Sequence, residues 1–205
     1  MIPGMKTGKI IGLGILGFIA VLAMWFVSTS NSLVTKDEAV KAAWSQVENT
    51  YQRRMDLIPN LVNTVKGYAA HEKETLESVI QARNQAASIA SQTSGGSAGA
   101  PAQDQLKRFQ QAQDQLAGAL SRLMVVVERY PELKANENFR DLQVSLEGTE
   151  NRIAVERKRF NEVAQDYNTY LRSFPQSIVA GFRGFNQRGY FEAAQGANVA
   201  PKVQF

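Results

Sequence analysis

Near the N-terminus, residues 10–27 (IIGLGILGFIAVLAMWFV) are apolar and carry no charged side chain. As a helix this run would be roughly 27 Å long, which matches the hydrocarbon core of a membrane. Trp25 and Phe26 lie near its end, where aromatic rings favour the interface between lipid and water. The pattern predicts a transmembrane signal anchor over residues 10–30, preceded by a short tail of residues 1–9.

A cleaved signal peptide is the alternative, because Ser28 and Ser30 form the small-x-small pattern of a cleavage site. The apolar core of such peptides is shorter, about 7–15 residues. The bulky rings of Trp25 and Phe26 also crowd the candidate site. An uncleaved anchor is therefore favoured.

Beyond the anchor, apolar side chains recur at steps of three, four and seven residues, which is typical of amphipathic helices. The pattern predicts a first helix over residues 33–55 and a second helix over residues 61–91. Between them, Asp56 can cap a helix and Pro59 fits a first helical turn, so the run DLIP predicts a chain reversal. A continuous helix that is kinked at the proline is the alternative.

Residues 92–102 (QTSGGSAGAPA) lack periodicity and are rich in Gly, Ser and Ala, which predicts a flexible loop. Two further helical patterns follow over residues 106–130 and 139–174, and Pro175 interrupts the second. No alternation typical of strands competes with this interpretation. We therefore expect an all-α fold, in which an antiparallel four-helix bundle of long helices, residues 31–174, stands on the N-terminal transmembrane helix.

The C-terminal segment, residues 175–205, departs from the helical pattern. Glycines are interleaved there with aromatic residues, and Glu192 is the single acidic residue. Such a segment is predicted to be irregular, yet it is too aromatic for an inert linker and should dock on something. Three docking surfaces stay open: its own bundle, a neighbouring subunit and lipid headgroups. The candidate contact residues are Phe182, Phe185, Tyr190 and Phe191.

Four polar residues fall on helix stripes that are otherwise apolar: Glu72, Gln113, Thr149 and Glu156. A buried carboxylate without a partner is costly, so we expect the two glutamates to pair with Arg or Lys, to accept hydrogen bonds or to face outward. A structural role is favoured, and an acid–base or cation site is the alternative.

The basic pair Arg53–Arg54 immediately precedes Asp56 at the predicted reversal. These arginines can bind a carboxylate across the reversal or place positive charge near a helix C-terminus. A structural role is again favoured over a catalytic one.

The amino-acid composition excludes several common classes of catalytic and metal site. The 205 residues include no cysteine, which excludes disulfides, thiolate metal sites and cysteine nucleophiles. His71 is the single histidine, and Thr75 stands where a zinc-protease helix needs its second histidine. We therefore predict no catalytic residue, no metal and no cofactor. A net charge of +4 is too small to indicate a nucleic-acid partner.

Positive charge sets the expected topology. Lys6 and Lys9 precede the anchor and favour a cytoplasmic N-terminus, which sends the bundle out of the cytoplasm. Lys36 and Lys41 on the other side of the anchor weaken this bias. We expect a single-pass protein of the bacterial inner (cytoplasmic) membrane with an extracytoplasmic, periplasmic bundle.

The run KAAWSQVENTYQRRMDLIPNLVNTVKGYAAHE, residues 41–72, resembles the signature of the bacterial LemA family, and FPQSIVAGFRGFNQRGYF, residues 174–191, is similar to the family's C-terminal segment. The positions that fit the signature are Trp44, Arg53, Arg54, Asp56, Pro59, Asn60, Lys66, Gly67, Tyr68 and His71. The resemblance implies a membrane anchor and a helical bundle, with no established reaction, substrate or cofactor. It also implies envelope partners such as a membrane metalloprotease or a phosphatase-like protein.

Three classes of function remain. We expect a membrane-anchored, non-enzymatic scaffold or interaction protein of the cell envelope, which accounts for the long helices and the aromatic C-terminal segment. Anchor glycines, among them Gly12, Gly14 and Gly17, favour assembly into a homo-oligomer within the lipid bilayer. The aromatic C-terminal segment is expected to help join its subunits. A membrane-shaping or lipid-binding protein is the alternative, and an enzyme built from carboxylates and arginines is the third class.

Overall fold

The computed structural model describes residues 7–95 and 100–192, and these ranges contain helices and no strand. In chain order the elements are α1 (Thr7–Tyr68), α2 (Lys73–Gly95), α3 (Gln103–Val127), α4 (Pro131–Ala135), α5 (Glu137–Arg172) and α6 (Gln176–Arg183). The predicted all-α class is confirmed.

α1 is one helix of 62 residues that includes Pro59. The reversal predicted at Asp56 and Pro59 is therefore wrong, and the continuous helix is correct. The apolar stripe explains this result, because Ile58 and Leu61 on either side of the proline are both buried in the core, while Pro59 itself is exposed. A proline inside a helix costs about 3 kcal/mol, and burial of the continuing stripe offsets that cost.

The chain reverses instead between Tyr68 and Lys73. There the amide of Glu72 donates a hydrogen bond to the carbonyl of Ala69 (3.1 Å). The predicted second helix was thus wrong in its start, because residues 61–68 belong to α1.

The predicted loop at residues 92–102 is shorter than expected, since α2 continues to Gly95 and α3 begins at Gln103. Residues 96–99 of that loop lie outside the described residues.

Four long helices, α1, α2, α3 and α5, form the bundle. α1 packs most extensively against α5, and α2 against α3. Lys36 contacts Asp166 and Arg54 contacts Glu150, so α5 runs antiparallel to α1. The short helix α4 joins α3 to α5 and begins with Pro131, a residue suited to a first helical turn. These helix contacts agree with the predicted bundle.

The core has two parts. The half next to the apolar span, called the proximal half here, is built around the rings of Trp44, Phe109 and Phe160. Trp44 is 4% exposed, and its ring meets those of Phe109 and Phe160 edge-on at 5.3 and 5.6 Å. The distal half is mostly aliphatic, with Leu61 and Leu123 fully buried.

The C-terminal segment is less irregular than predicted, since α6 forms a helix of 8 residues directly after Pro175. Val179 and Ala180 bury one face of α6 against the proximal half of the core. Gly184 ends the helix in the left-handed conformation (φ 73°), which glycine adopts without steric cost.

Candidate interaction sites

After α6, residues 185–192 lie along the proximal half of the bundle without regular secondary structure, and we call this segment the docked tail. Four side-chain amides hold its backbone. Each amide accepts a hydrogen bond from the N–H of one tail residue and donates one to the C=O of the same residue. The pairs are Asn168 with Arg188 (2.8 and 2.8 Å), Gln103 with Tyr190 (2.7 and 3.2 Å), Asn161 with Phe191 (2.9 and 2.9 Å) and Gln110 with Glu192 (3.3 and 3.0 Å). The amides thereby replace the backbone partners that a helix or sheet would supply.

The four amides stand on two helices at matched spacing. Gln103 and Gln110 lie about two turns apart on α3, and Asn161 and Asn168 lie about two turns apart on α5. The tail backbone therefore bridges α3 and α5. It approaches α3 so closely that a Cβ at Gly189 would come within 2.9 Å of the Cα of Gln103, which requires glycine at that position.

Arg188 attaches the docked tail to the start of the bundle. Its guanidinium donates from Nε to Oδ1 of Asp37 on α1 (3.1 Å) and from Nη1 to the carbonyl of Ala100 (3.0 Å). Asp37 is 6% exposed and also pairs with Lys41 (3.1 Å). Two cations thus balance one buried carboxylate, as burial of that charge requires.

Three of the four predicted aromatic contact residues pack on the bundle. Phe191 is buried, with its ring 6.1 Å from that of Trp44 and 5.6 Å from that of Phe160. Phe185 and Tyr190 are partly buried against the same part of the core. The tail therefore completes the proximal core of its own chain, which is one of the three predicted docking surfaces.

Phe182 differs from these three residues. It lies on α6 with 82% of its surface exposed. Residues 193–205, the remainder of the predicted docking segment, lie outside the described residues.

Arg54 is the buried centre of a polar layer that links three helices and reaches the exposed Glu150. Its side chain is 3% exposed and donates to Oε2 of Glu150 on α5 (2.8 Å) and to Oε1 of Gln113 on α3 (2.6 Å). The guanidinium also lies 5.1 Å from the ring of Tyr51. The carboxylate that pairs with Arg54 therefore comes from α5 and not from across a reversal at Asp56. This layer fixes the relative register of α1, α3 and α5.

The remaining predicted site residues of α1 and the reversal are exposed. Arg53 lines a groove of about 380 Å³ between α1 and α5, together with Arg152. Asp56 accepts a hydrogen bond from Gln52 (2.8 Å), and His71 lies in the reversal between α1 and α2. The structure brings none of these exposed residues into the Arg54 layer.

The polar residues on the core stripes behave differently from one another. Glu72 accepts hydrogen bonds from Arg129 (2.9 Å) and from the hydroxyl of Tyr130 (3.0 Å), as expected for a carboxylate near the core. Thr149 donates its hydroxyl to a carbonyl of its own helix (2.7 Å). Glu156 is 8% exposed, and its buried Oε2 has no hydrogen-bond partner, so this oxygen does not follow the expectation.

Three tyrosines in the described residues have a raised pKa. Burial raises the pKa of Tyr51 and of Tyr167, and the hydrogen bond to Glu72 raises the pKa of Tyr130. A raised pKa keeps each phenol protonated at neutral pH. No group of three or more His, Asp or Glu side chains in residues 7–95 and 100–192 is placed to hold a metal ion.

The N-terminal part of α1 stands apart from the bundle. By length and composition it can cross a membrane, with a mean hydropathy of 2.3 over an 18-residue window of which none is buried. Burial begins at Thr29 and Ser30, directly after the apolar span. This helix fits a membrane anchor, in agreement with the membrane association predicted from the sequence.

The model of the LemA family matches residues 43–205. Magnetosome protein MamQ of Magnetospirillum gryphiswaldense is 30% identical over 198 residues, which cover 87% of this chain and 69% of that protein. Magnetosome protein MamQ 1 of Paramagnetospirillum magneticum is 29% identical over 195 residues, with coverage of 88% and 69%. Protein LemA of Metamycoplasma hominis is 23% identical over 185 residues, with coverage of 88% and 78%. The matched region includes the docked tail and the bundle from residue 43 onward, and the chain belongs to the LemA family.

Proposed function

We propose that this chain is a membrane-anchored, non-enzymatic scaffold of the bacterial cell envelope that assembles with copies of itself. The observation that carries the proposal is the continuity of α1, which runs from the apolar span into the bundle core as one helix of 62 residues. A helix of that length extends about 93 Å. The anchor and the bundle therefore form one rigid unit, which suits a protein that holds a surface at a fixed place above a membrane.

The relatives support a role at a membrane without adding a reaction. Two of them are named magnetosome proteins and one is named Protein LemA, and none of these names states an enzymatic activity. For this chain we therefore propose a membrane-associated scaffold, and the relatives suggest no substrate for it.

Self-assembly is proposed through the anchor. A Cβ built at Gly12, Gly14 or Gly17 would meet nothing within 4 Å, so this stretch of α1 has open space around it. Gly14 and Gly17 lie on adjacent turns of one side of the helix, and small residues in that arrangement let two membrane helices approach closely. The tail from Phe185 to Glu192 docks on its own bundle, so the anchor and not this tail is the proposed site of subunit contacts.

The location proposed for this scaffold is the inner membrane, crossed once, with the bundle in the periplasm. Lys6 and Lys9 ahead of the span support a cytoplasmic N-terminus. Envelope proteins are the proposed partners, as the family resemblance implies. A membrane-shaping or lipid-binding function is the second candidate.

Native mass spectrometry of the full chain, released from several mild detergents, tests self-assembly. We expect a mass that is a multiple of the 22.6 kDa subunit. Gly14→Leu/Gly17→Leu should lower that mass, whereas Ala23→Leu, which lies on the opposite side of α1 from Gly14, should leave it unchanged. A variant that ends at Glu192 separates the contribution of residues 193–205 from that of the anchor. A full chain that is monomeric in every detergent contradicts the proposal.

A further inference from the structure

The proximal end of the molecule carries an exposed apolar stripe, Phe174, Ile178 and Phe182, that the bundle does not cover. Phe174 and Phe182 are each 82% exposed, and Ile178 is 48% exposed. On α6, Ile178 and Phe182 are one turn apart and share a face. The opposite face, with Val179 and Ala180, is buried in the core. α6 is therefore apolar on both sides, with one side covered by the bundle.

The position of α6 relative to the anchor indicates what contacts the exposed face of α6. α6 packs against α1 and α5. Val179 and Ala180 of α6 belong to the same core cluster as Leu33 of α1, and Trp25 at the end of the apolar span packs against that cluster. α5 runs antiparallel to α1 with Asp166 beside Lys36, so Arg172 and the start of α6 lie near the level of Ser30. The stripe thus lies where α1 leaves the apolar span. An aromatic residue at the end of a span marks the interface between lipid and water.

Charge around the stripe also fits a lipid surface. Residues 167–191 contain no Asp or Glu and include three arginines, of which Arg188 pairs with Asp37. Residues 7–36 of α1 contain no Asp or Glu either. Arg172 ends α5, Arg183 ends α6, and both are exposed. Exposed apolar residues beside unbalanced cations are the composition of an interfacial helix that binds anionic lipid.

We propose that α6, together with Phe174, lies in the lipid–water interface of the membrane that holds the anchor. Phe174, Ile178 and Phe182 insert at the boundary between headgroups and acyl chains, and Arg172 and Arg183 contact lipid phosphates. The bundle is then attached at two points, by α1 through the membrane and by α6 on its surface. This second attachment requires the anchor but neither the homo-oligomer nor a particular orientation across the membrane.

The absence of cysteine allows the depth of α6 to be measured in the full chain. A spin label on Phe182→Cys is compared with one on Val125→Cys, which is also exposed (71%) but lies in the distal half of α3. Both proteins are placed in vesicles of phosphatidylethanolamine and phosphatidylglycerol. We expect the ratio of collisions with oxygen, which dissolves in lipid, to collisions with a water-soluble nickel complex to be several-fold higher for the Phe182 label.

Two results of this experiment contradict the proposal. Equal access of nickel to both labels would place α6 in water. Protection of the Phe182 label from both reagents would place it in a protein contact, such as one with a second copy of the chain.

A second experiment removes the stripe and keeps the fold. A label on Phe174→Cys is measured with and without Ile178→Ser/Phe182→Ser, two changes at exposed positions that should leave the helical circular dichroism unchanged. We expect the serine changes to abolish the preference of the label for oxygen. Vesicles without phosphatidylglycerol should weaken that preference, because Arg172 and Arg183 then lose their anionic partners. A preference that persists through both changes contradicts the assignment of lipid to α6.

Discussion

The guanidinium of Arg188 contacts the carboxylate of Asp37 although 151 positions separate the two residues in the chain. The contact joins the docked tail to the first bundle helix, near the apolar span. Because α1 contains both Asp37 and the anchor, this ion pair ties the last described segment of the chain to the element that enters the membrane. The tail is therefore part of the folded bundle and not an appendage to it.

Removal of this ion pair should destabilise the protein. Arg188→Ala leaves Asp37 buried with Lys41 as its remaining cation, and we expect a loss of about 3 kcal/mol in the free energy of unfolding. Urea titration of the full chain in a mild detergent measures it. Lys107→Ala is the matched control, because its ion pair with Glu192 is half exposed and should contribute less than about 1 kcal/mol. Equal losses in the free energy of unfolding for the two substitutions would contradict a larger contribution from the buried Arg188–Asp37 pair.

The amide pairs predict a local effect on the tail. Asn168→Ala removes both hydrogen bonds to the backbone of Arg188, each of which contributes about 1 kcal/mol. We expect hydrogen exchange at residues 188–192 to accelerate by roughly tenfold or more while the distal half of the bundle keeps its protection. Gln143→Ala, which removes an exposed hydrogen bond to Glu147, is the control and should leave the tail unchanged. No change in the tail amides of Asn168→Ala would contradict the docking described above.

Much of the fold could be predicted from the sequence, because helical stripes require burial wherever the chain turns. Trp44 is an example, because it falls on the apolar stripe between Val40 and Val47 and is buried in the core. The reversal was misplaced because Asp56 and Pro59 carry the local chemistry of a helix start, whereas packing of Ile58 and Leu61 favours continuation. Local propensity is weak relative to burial, and here burial decided the outcome.

The docked tail could not be predicted in the same way. Asn and Gln occur on many exposed helix faces, so residue type alone does not mark the four positions that hold the tail. These positions are Gln103, Gln110, Asn161 and Asn168. Their repeated spacing of about two turns on each helix is the signal that was available. It becomes meaningful only when the tail is placed between α3 and α5, since each amide needs a specific backbone partner.

Replacement of Pro59 distinguishes the continuous helix from a reversal. Alanine at this position restores a backbone donor and removes the clash of the ring inside α1, so Pro59→Ala should stabilise the protein by about 1–3 kcal/mol. The measurement is the urea midpoint of the full chain. Pro131→Ala is the control, because Pro131 stands in the first turn of α4, where proline fits, and its replacement should be neutral or destabilising. Destabilisation by Pro59→Ala would indicate that a helix begins there.

The central claim is that the anchor and the bundle share one unbroken helix, and a distance within α1 tests it most directly. Spin labels on Val27→Cys and Lys66→Cys, both exposed positions, are measured by pulsed dipolar spectroscopy in vesicles, with excess unlabelled protein to suppress distances between copies. A continuous α1 predicts a narrow distribution centred at about 60 Å. A reversal near Asp56 and Pro59 would bring the two labels to roughly 35 Å, and a distribution centred there, or one spread broadly between the two values, would contradict the account.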